Sequence, residues 1–218
     1  MTNLTDNLGI LIIAAGNSSR LGTNKQLVEL NGVTLLERTI NIAKELNDPL
    51  ICVLGYDADN IKSYIHLEPD TLVVNHHWKQ GMGSSIARGI NYFCDKNIIS
   101  FDAVMILLCD QYLISPFDLK ELKKQWKINS NQKIIASQYF DPKEEKIIQG
   151  APAIFPKDYF EQLKNLKEKG ARKIIQNNQH NLISVPLKNA AIDLDTKEDL
   201  QEFKTYHQKT IRSENSND

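Results

Sequence analysis

The stretch ILIIAAGNSSRLGTNKQLVEL, residues 10–30, turns abruptly from an apolar run into a small, polar and positively charged loop. Residues 10–14 form a short, continuous apolar run, which is typical of a strand buried on both faces of a sheet. The loop opens with three small residues: Ala14, Ala15 and Gly16. Their size lets backbone N–H groups approach an anion. Arg20 and Lys25 follow, offering a phosphate a bidentate fork and a compact point charge. The stretch therefore predicts a polyphosphate pocket at the end of the first strand.

Apolar runs alternate with helical patterns along the rest of the chain. The predicted strands are residues 10–14, 50–54, 71–74, 103–108, 134–139, 151–155 and 182–185. The predicted helices are residues 34–46, 57–65, 82–93, a segment that starts at 115, 157–166, 171–177 and 196 to about 207. Asp57, Ser115 and Thr196 are the expected helix caps. This alternation predicts an α/β protein with three α/β/α layers and a mainly parallel sheet, whose ligands bind at the carboxyl ends of the strands.

Composition limits the classes of function. The 218 residues suit one domain, and a net charge of −1 gives no support to bulk nucleic-acid or membrane binding. The polar start MTNLTDN is not a signal sequence, and no apolar stretch approaches the roughly 20 residues that span a bilayer. Three widely spaced cysteines are expected to be reduced structural thiols in a cytoplasmic protein. We expect a flexible tail over residues 1–8, one domain over 9–207 and a disordered tail over 208–218.

Two common phosphate-binding motifs do not match the opening loop. A Walker A loop needs Gly-Lys-Ser/Thr, but here Gly22 is followed by Thr23, Asn24 and Lys25. The dinucleotide fingerprint G-x-G-x-x-G and its downstream ribose-binding acid are also missing, which disfavours a nicotinamide-linked oxidoreductase. On motif grounds alone, a plain turn with solvated charges remains an alternative.

The segment AAGNSSRLGTNK, residues 14–25, resembles the signature A-A-G-x-S-x-R-x-G-x-x-K of nucleotidyltransferases that activate molybdenum cofactor and sugar phosphates. The resemblance is nearest to the molybdenum cofactor cytidylyltransferase group. It implies a Rossmann-like, glycosyltransferase-A-like fold in which the loop wraps the nucleotide triphosphate. The loop residues that it places at the nucleotide are Ala14, Ala15, Gly16, Ser18, Arg20, Gly22 and Lys25. Arg20 and Lys25 would neutralise the phosphates. Guanylyl-transferring members usually have A-G-G here, so Ala15 favours CTP.

A second motif, NHHWKQGMGSSIARGI, spans residues 75–90. Gly81 and Gly83 leave the backbone open before a helix whose N–H groups and serine hydroxyls can hold a base edge, a ribose or a phosphate. A serine-capped helix after a tight turn is the alternative. The stretch resembles the family pattern N-x-x-W-x-x-G-[LM]-x-[ST]-S, which implies that Gly81, Ser84 and Ser85 form part of the base pocket. His76 and His77 are expected at the surface and Trp78 in packing.

Asp110 directly follows the most apolar run of the chain, so its charge must be paired, hydrated or metal-bound. A carboxylate beside phosphates suits Mg²⁺; a loop or capping acid is the alternative. The family motif L-x-D-Q-P implies that Asp110 binds Mg²⁺, although Tyr112 replaces the Pro. The stretch AAIDLDTKEDL, residues 190–200, resembles the ending D-I-D-T-P-E-D-L. We expect Asp193 as the second ligand, with Asp195 and Thr196 capping the last helix; the alternative is that both aspartates are structural.

Two later stretches, GAPAIFP and KGARKII, resemble family segments that border the second substrate. They imply that Gly150, Gly170 and Arg172 contact the acceptor, although the chain has Glu168-Lys169 where the family has an Asp before the Gly.

The resulting hypothesis is transfer of CMP from CTP to the terminal phosphate of a molybdenum-pterin cofactor, with release of pyrophosphate. Lys25, Arg20 and Asp110 would be the catalytic residues, Mg²⁺ the cofactor, and a molybdoenzyme or its chaperone a possible recipient of the product. The alternatives are a GTP-using guanylyltransferase, a sugar- or alditol-phosphate nucleotidyltransferase, and a cofactor chaperone that binds without turnover.

Overall fold

The computed structural model describes residues 7–65, 68, 71–95, 100–129, 132–142 and 144–203. Within these ranges the strands are β1 (Leu8–Ala14), β2 (Glu29–Leu30), β3 (Val33–Thr34), β4 (Leu50–Leu54), β5 (Leu72–Val74), β6 (Ala103–Leu108), β7 (Ile134–Asp141), β8 (Lys146–Pro156) and β9 (Leu182–Pro186). Seven of these strands form one sheet in the order β5-β4-β1-β6-β8-β7-β9, while β2 and β3 pair as a separate ribbon.

Neighbouring strands of the sheet are parallel except around β8. The strand β1 pairs in parallel with β4 and β6, as do β4 with β5 and β7 with β9. In contrast, β8 is antiparallel to both β6 and β7. Central β1 is buried along its whole length, as its continuous apolar sequence predicts. The carboxyl ends of β1, β4 and β6 consequently meet at one edge, where the opening loop leaves the sheet.

Helices cover both faces of the sheet. The described α-helices are α1 (Leu35–Lys44), α2 (Ala58–Tyr64), α3 (Met82–Asp95), α4 (Pro116–Ile128), α5 (Phe160–Lys164) and α6 (Arg172–Asn177). Side chains of α1, α2 and α4 pack on the face that carries Ile10 and Ile12, whereas α3, α5 and α6 pack on the face of Leu11 and Ile13. Successive residues of a strand point to opposite faces, so both must be apolar between two helical layers. The predicted three-layer α/β class with a mainly parallel sheet is confirmed.

Two of the three predicted helix caps are confirmed. Ser115 Oγ accepts a hydrogen bond from Asp118 N at 3.3 Å, and Asp118 Oδ2 accepts one from Ser115 N at 2.9 Å. The same reciprocal arrangement joins Thr196 and Asp199 before a helical segment at residues 197–203. Each pair satisfies amide groups that have no partner inside their helix. The predicted extension to residue 207 lies outside the described residues.

Asp57 precedes α2 as predicted, but its side chain does not cap that helix. Its backbone is left-handed, with φ at 52°, and no capping hydrogen bond forms. The carboxylate instead accepts hydrogen bonds from Asn24 Nδ2 at 2.5 Å and from Asn60 Nδ2 at 2.8 Å. Asp57 therefore ties the opening loop to the start of α2.

Other differences concern the ends of elements. The strand β1 begins at Leu8, one residue before the expected domain start, and β8 begins at Lys146 rather than at residue 151. A 3-10 turn precedes α5, so the segment 157–166 is not one continuous helix. Residues 1–6 and the tail over 208–218 lie outside the described residues.

The three cysteines are free thiols: Cys52 and Cys109 are buried and Cys94 is half-buried. In the described part of the chain, none of the helices combines the length and apolar character needed to cross a bilayer.

Candidate active site

A cavity of about 540 Å³ opens at the carboxyl ends of β1 and β6. Its walls come from four segments: residues 13–17, Lys25 with Gln26, residues 108–110, and five residues around the start of α3, namely Trp78, Lys79, Gly81, Met82 and Ser85. This is the position at which open α/β sheets bind ligands. The cavity therefore gathers the opening loop, the second motif and the carboxylate motif that the sequence singles out.

Lys25 lies between two carboxylates on the wall of this cavity. Its Nζ is 2.7 Å from Asp110 Oδ2 and 2.8 Å from Asp195 Oδ1, and its side chain is only 12% exposed. Burial alone would lower the pKa of Lys25, but the charge of Asp110 and hydrogen bonds to both carboxylates raise it above the ordinary value of 10.5. The ammonium group therefore stays charged at neutral pH.

Asp110 has one carboxylate oxygen paired and one unpaired. Its Oδ2 accepts from Lys25, whereas its Oδ1 is buried without a hydrogen-bond partner among the described residues. An unpaired buried carboxylate oxygen is costly unless a cation or donor meets it. Asp110 therefore fits the role of a Mg²⁺ ligand, which takes carboxylate oxygens together with phosphate oxygens and waters.

The second carboxylate beside Lys25 is Asp195 rather than Asp193. The expectation that Asp195 caps the last helix is wrong for its side chain, because Thr196 and Asp199 form that cap. Burial raises the pKa of the Tyr139 phenol, and the negative charge of Asp193 nearby raises it further. Asp193 as a metal ligand stays a prediction, and sequence reasoning missed Asp195 as the partner of Lys25.

Arg20, Ser18 and Gly22 belong to the same loop but do not line the cavity. The side chain of Arg20 is 75% exposed and reaches Asp195 Oδ2 at 3.4 Å. Ser18 Oγ accepts a hydrogen bond from Lys25 N at 3.2 Å, and Ser18 O accepts one from Gly22 N at 3.1 Å. Ser18 and Gly22 therefore shape the turn that carries Lys25 into the cavity.

Gln26 is a buried residue that sequence reasoning did not select. It is fully buried and lines the cavity. Its Nε2 donates to the carbonyl oxygens of Ala14 and Gly16, both at 2.9 Å. The only sequence signal was a polar residue directly after Lys25 and before the apolar Leu27.

Asn75, which follows β5, orders two serines at the start of α3. Its Nδ2 donates to Ser84 Oγ at 2.9 Å and to Ser85 Oγ at 3.0 Å. Ser84 Oγ also bonds the carbonyl oxygen of Gly81 at 2.8 Å. Ser85 lines the cavity and Ser84 does not, so Ser84 supports the turn while Ser85 borders the ligand space.

The backbone of residues 167–169 rests against the first turn of α3. Ser84 N donates to a carbonyl oxygen of this segment at 2.6 Å. A Cβ atom at Gly81 would lie 2.2 Å from the carbonyl oxygen of Glu168, and one at Gly83 would lie 2.4 Å from the same segment. The two glycines therefore make room for protein backbone. The sequence predicted that Gly81 and Gly83 leave this helix end open to a ligand. This is wrong for the Ser84 amide, because it already donates to the segment 167–169.

The side chain of Trp78 is half-buried and lines the cavity next to Gly81. Its ring meets Tyr56 edge-on, with the ring centroids 5.5 Å apart. His76 and His77 are exposed, as expected.

A second cavity of about 270 Å³ adjoins the first, and Met82 and Leu108 line both. The three residues predicted at the acceptor, Gly150, Gly170 and Arg172, all line it. Most of its other walls are apolar, with Tyr139 as a polar exception. Arg172 Nη1 lies 3.2 Å from Glu144 Oε1, and both side chains of this pair are partly exposed to solvent. The arrangement provides two neighbouring spaces that meet at Met82 and Leu108.

A family model for the MobA-like NTP transferase domain matches residues 10–182, which is most of the chain. The chain belongs to this family. The description of this family names the transfer of nucleoside triphosphate groups. The resemblance predicted from the opening loop is confirmed at this level. Asp193 and Asp195 lie beyond the matched residues.

The individual relative described next matches a smaller part of the chain than the family model does. Nicotine blue oxidoreductase from Paenarthrobacter nicotinovorans is 36% identical over 103 residues, which cover 46% of this chain and 48% of that protein. The chain thus spans about half the length of that relative.

Solved structures share the fold. Rv0371c from Mycobacterium tuberculosis H37Rv aligns with a TM-score of 0.74 and 22% identity over 91% of this chain and 98% of that one. A nucleotidyl transferase from Methanothermobacter aligns with a TM-score of 0.72 and 16% identity over 94% of this chain and 99% of that one.

Proposed function

We propose that the protein transfers CMP from CTP to the terminal phosphate of a molybdenum-pterin cofactor and releases pyrophosphate. The observation that carries this proposal is the placement of Lys25 and Asp110, 2.7 Å apart, on the wall of a cavity that adjoins a second one. Two substrates held in these spaces would bring an acceptor phosphate next to the α-phosphorus of the nucleotide. Such positioning supplies a large part of the rate enhancement in phosphoryl and nucleotidyl transfer.

In this mechanism an oxygen of the acceptor phosphate forms a bond to the α-phosphorus as the bond to the pyrophosphate oxygen breaks. Backbone N–H groups of the opening loop and the ammonium of Lys25 stabilise the negative charge that grows on the departing pyrophosphate. Arg20, at the outer end of the same loop, adds positive charge. The acceptor phosphate is already ionised near neutral pH, so no general base is needed.

Mg²⁺ belongs to the proposal as a cofactor that neutralises phosphate charge when it is bound. Asp110 would hold it through Oδ1, which has no hydrogen-bond partner among the described residues. The second ligand would be Asp193, as the family resemblance implies, or Asp195, which lies across Lys25 from Asp110.

The choice of CTP rests on Ala15, and the choice of a pterin rests on the resemblance together with the second cavity. Ala15 lines the first cavity and is 3% exposed, so its methyl group takes space that a glycine would leave to a larger purine. The second cavity has mainly apolar walls with a phenol and a guanidinium, which suits a flat ring system that carries a phosphate better than a polyhydroxylated sugar.

The test is pyrophosphate release with Mg²⁺, each of CTP, GTP, ATP and UTP, and a panel of acceptors comprising molybdenum-pterin cofactor, sugar phosphates and alditol phosphates. We expect the highest kcat/KM with CTP and the pterin, and an Ala15→Gly variant with relatively more GTP use. Higher rates with GTP would instead favour a guanylyltransferase, and higher rates with a sugar phosphate would favour a sugar-phosphate nucleotidyltransferase. Nucleotide binding without pyrophosphate release would favour a chaperone role.

An oxidoreductase is the second candidate, because a relative that is 36% identical over 103 residues bears that name. The chain lacks the glycine-rich dinucleotide fingerprint, which argues against it. Oxidation of NADH or NADPH, followed by absorbance with quinone-type acceptors, distinguishes the two functions.

A further inference from the structure

We propose that Gln26 is a positioning residue that presets the opening loop for phosphate binding. The proposal rests on the proposed function only in assuming that this loop receives the phosphates of the nucleotide. Gln26 lies in the wall of the cavity, but its side chain is fully buried and its amide nitrogen is bonded to backbone carbonyl groups. It acts through the backbone of residues 14–17.

Three consecutive carbonyl groups of the loop are held by hydrogen bonds. The two hydrogens of the Gln26 amide go to Ala14 O and Gly16 O, both at 2.9 Å. The carbonyl between them, that of Ala15, accepts from Tyr56 N at 3.1 Å. Gly55 permits this contact, because a Cβ there would lie 2.7 Å from Ala15 O.

Fixing these carbonyls also fixes the loop amides. In a trans peptide the carbonyl oxygen and the following N–H point in opposite directions. The carbonyls of Ala14 and Gly16 point inward to a buried side chain, so the N–H groups of Ala15 and Asn17 point away from it. Gly16 and Asn17 are exposed at the cavity wall. Gln26 therefore directs amide donors toward the space where the phosphates would lie.

A glutamine suits this task because its amide nitrogen carries two donors. One Gln26 therefore satisfies two buried carbonyls, whereas its own Oε1 stays buried without a partner among the described residues. Retaining an unpaired polar atom is unfavourable, and an apolar side chain of the same size would avoid it. The benefit thus lies in the two bonds to the loop.

The experiment measures binding of inorganic pyrophosphate with Mg²⁺ by calorimetry in the full-length protein. Gln26→Met keeps the length and loses both donors, and Gln26→Glu keeps the shape and replaces the amide with a carboxylate. We expect the affinity of both variants to fall roughly 10- to 100-fold, since misplaced donors cost about that much. Relative to the parent at the same pH, Gln26→Glu should recover in part at about pH 5, where its carboxyl regains one donor and loses its charge.

Ser137→Ala is the matched control. Ser137 is fully buried and donates to Pro152 O at 2.7 Å, and neither residue lines either cavity. Its loss should lower thermal stability about as much as Gln26→Met while leaving pyrophosphate affinity within twofold. Amide hydrogen exchange should accelerate over residues 13–20 in the Gln26 variants and not in the control.

The outcomes separate this proposal from the proposed function. Parent-like pyrophosphate affinity in Gln26→Met would overturn the positioning role, as would a parent protein that binds no pyrophosphate at all. A parent that binds pyrophosphate but transfers no CMP would refute the proposed function alone.

Discussion

Replacing Lys25 with Ala would remove the cation that two carboxylates surround. The ammonium is 12% exposed and lies 2.7 and 2.8 Å from Asp110 and Asp195. If it stabilises departing pyrophosphate, its help is greater in the transition state than in bound nucleotide, so kcat should fall more than nucleotide affinity. Losing one such charge-assisted contact costs about 2–4 kcal/mol, or about 30- to 1,000-fold in rate. Without Lys25 the charges of Asp110 and Asp195 would lose this neutralising partner next to the phosphates, so we expect the rate loss to lie at the upper end of this range.

The assay is steady-state pyrophosphate release, with folding checked by circular dichroism. Lys25→Arg should restore the rate only in part, because a planar fork does not replace a point charge. Lys120→Ala serves as the control, since Lys120 of α4 forms an exposed pair with Glu45, lines neither cavity and should change the rate by less than twofold when replaced. A Lys25→Ala enzyme that works at nearly the parent rate would refute the catalytic role.

The pH dependence gives a further check on Lys25. Because its folded pKa is raised, its contribution to stability is complete below the unfolded value, near 10.5, and is lost only as the pH rises through the higher folded value. Neither rate nor melting temperature should therefore show a Lys25 titration between about pH 6 and pH 10.

The remaining predictions concern the carboxylate, a glycine and the thiols. Asp110→Asn should abolish turnover at saturating Mg²⁺ with an unchanged circular dichroism spectrum; activity near that of the parent would remove the metal assignment. Gly81→Ala should lower stability by about 1–3 kcal/mol in thermal melts, because φ is 112° and the new Cβ would meet Glu168 O at 2.2 Å; an unchanged melting temperature would contradict this. Burial raises the pKa of Cys109 to about 12, so a thiol reagent at pH 8 should label half-buried Cys94 first, and equal labelling of Cys109 in the native protein would count against its burial.

The sequence predicted the parts of the molecule that depend on local apolar patterning. The strands at residues 50–54 and 103–108 match β4 and β6 because both are continuous apolar runs that are buried on two faces of the sheet. It did not predict the direction of β8 or its start at Lys146, since Lys146 and Ile147 are exposed and Gln149 and Gly150 separate the two isoleucines from the later apolar run. The short β2–β3 ribbon was also missed.

The residues of the candidate site also divide into those that a local sequence pattern predicted and those that it did not. The signature after β1 located Lys25, and the apolar run of β6 located Asp110, which comes two residues after that strand. The choice between Asp193 and Asp195 depended on the path of the chain after a 3-10 turn at Lys188–Ala191, and residue parity on an extended segment cannot supply that path. Gln26 was missed because its partners are carbonyl groups, which carry no signal in the amino-acid sequence.

Residues 167–169 and the first turn of α3 meet through a backbone contact, and the two sides of this contact differ in the substitutions that they tolerate. The segment meets Gly81 and Gly83 through its main chain, and its own side chains are exposed. Evolution can therefore vary the residues at 167–169 while the shape of the contact stays the same, which accommodates Glu168-Lys169 where the family has an acid before the glycine. Positions 81 and 83 have no such freedom, because any side chain there would displace the segment that borders the second cavity. Among the folded variants of a library randomised at these positions, many different residues should occur at 167–169, whereas only glycine should occur at positions 81 and 83.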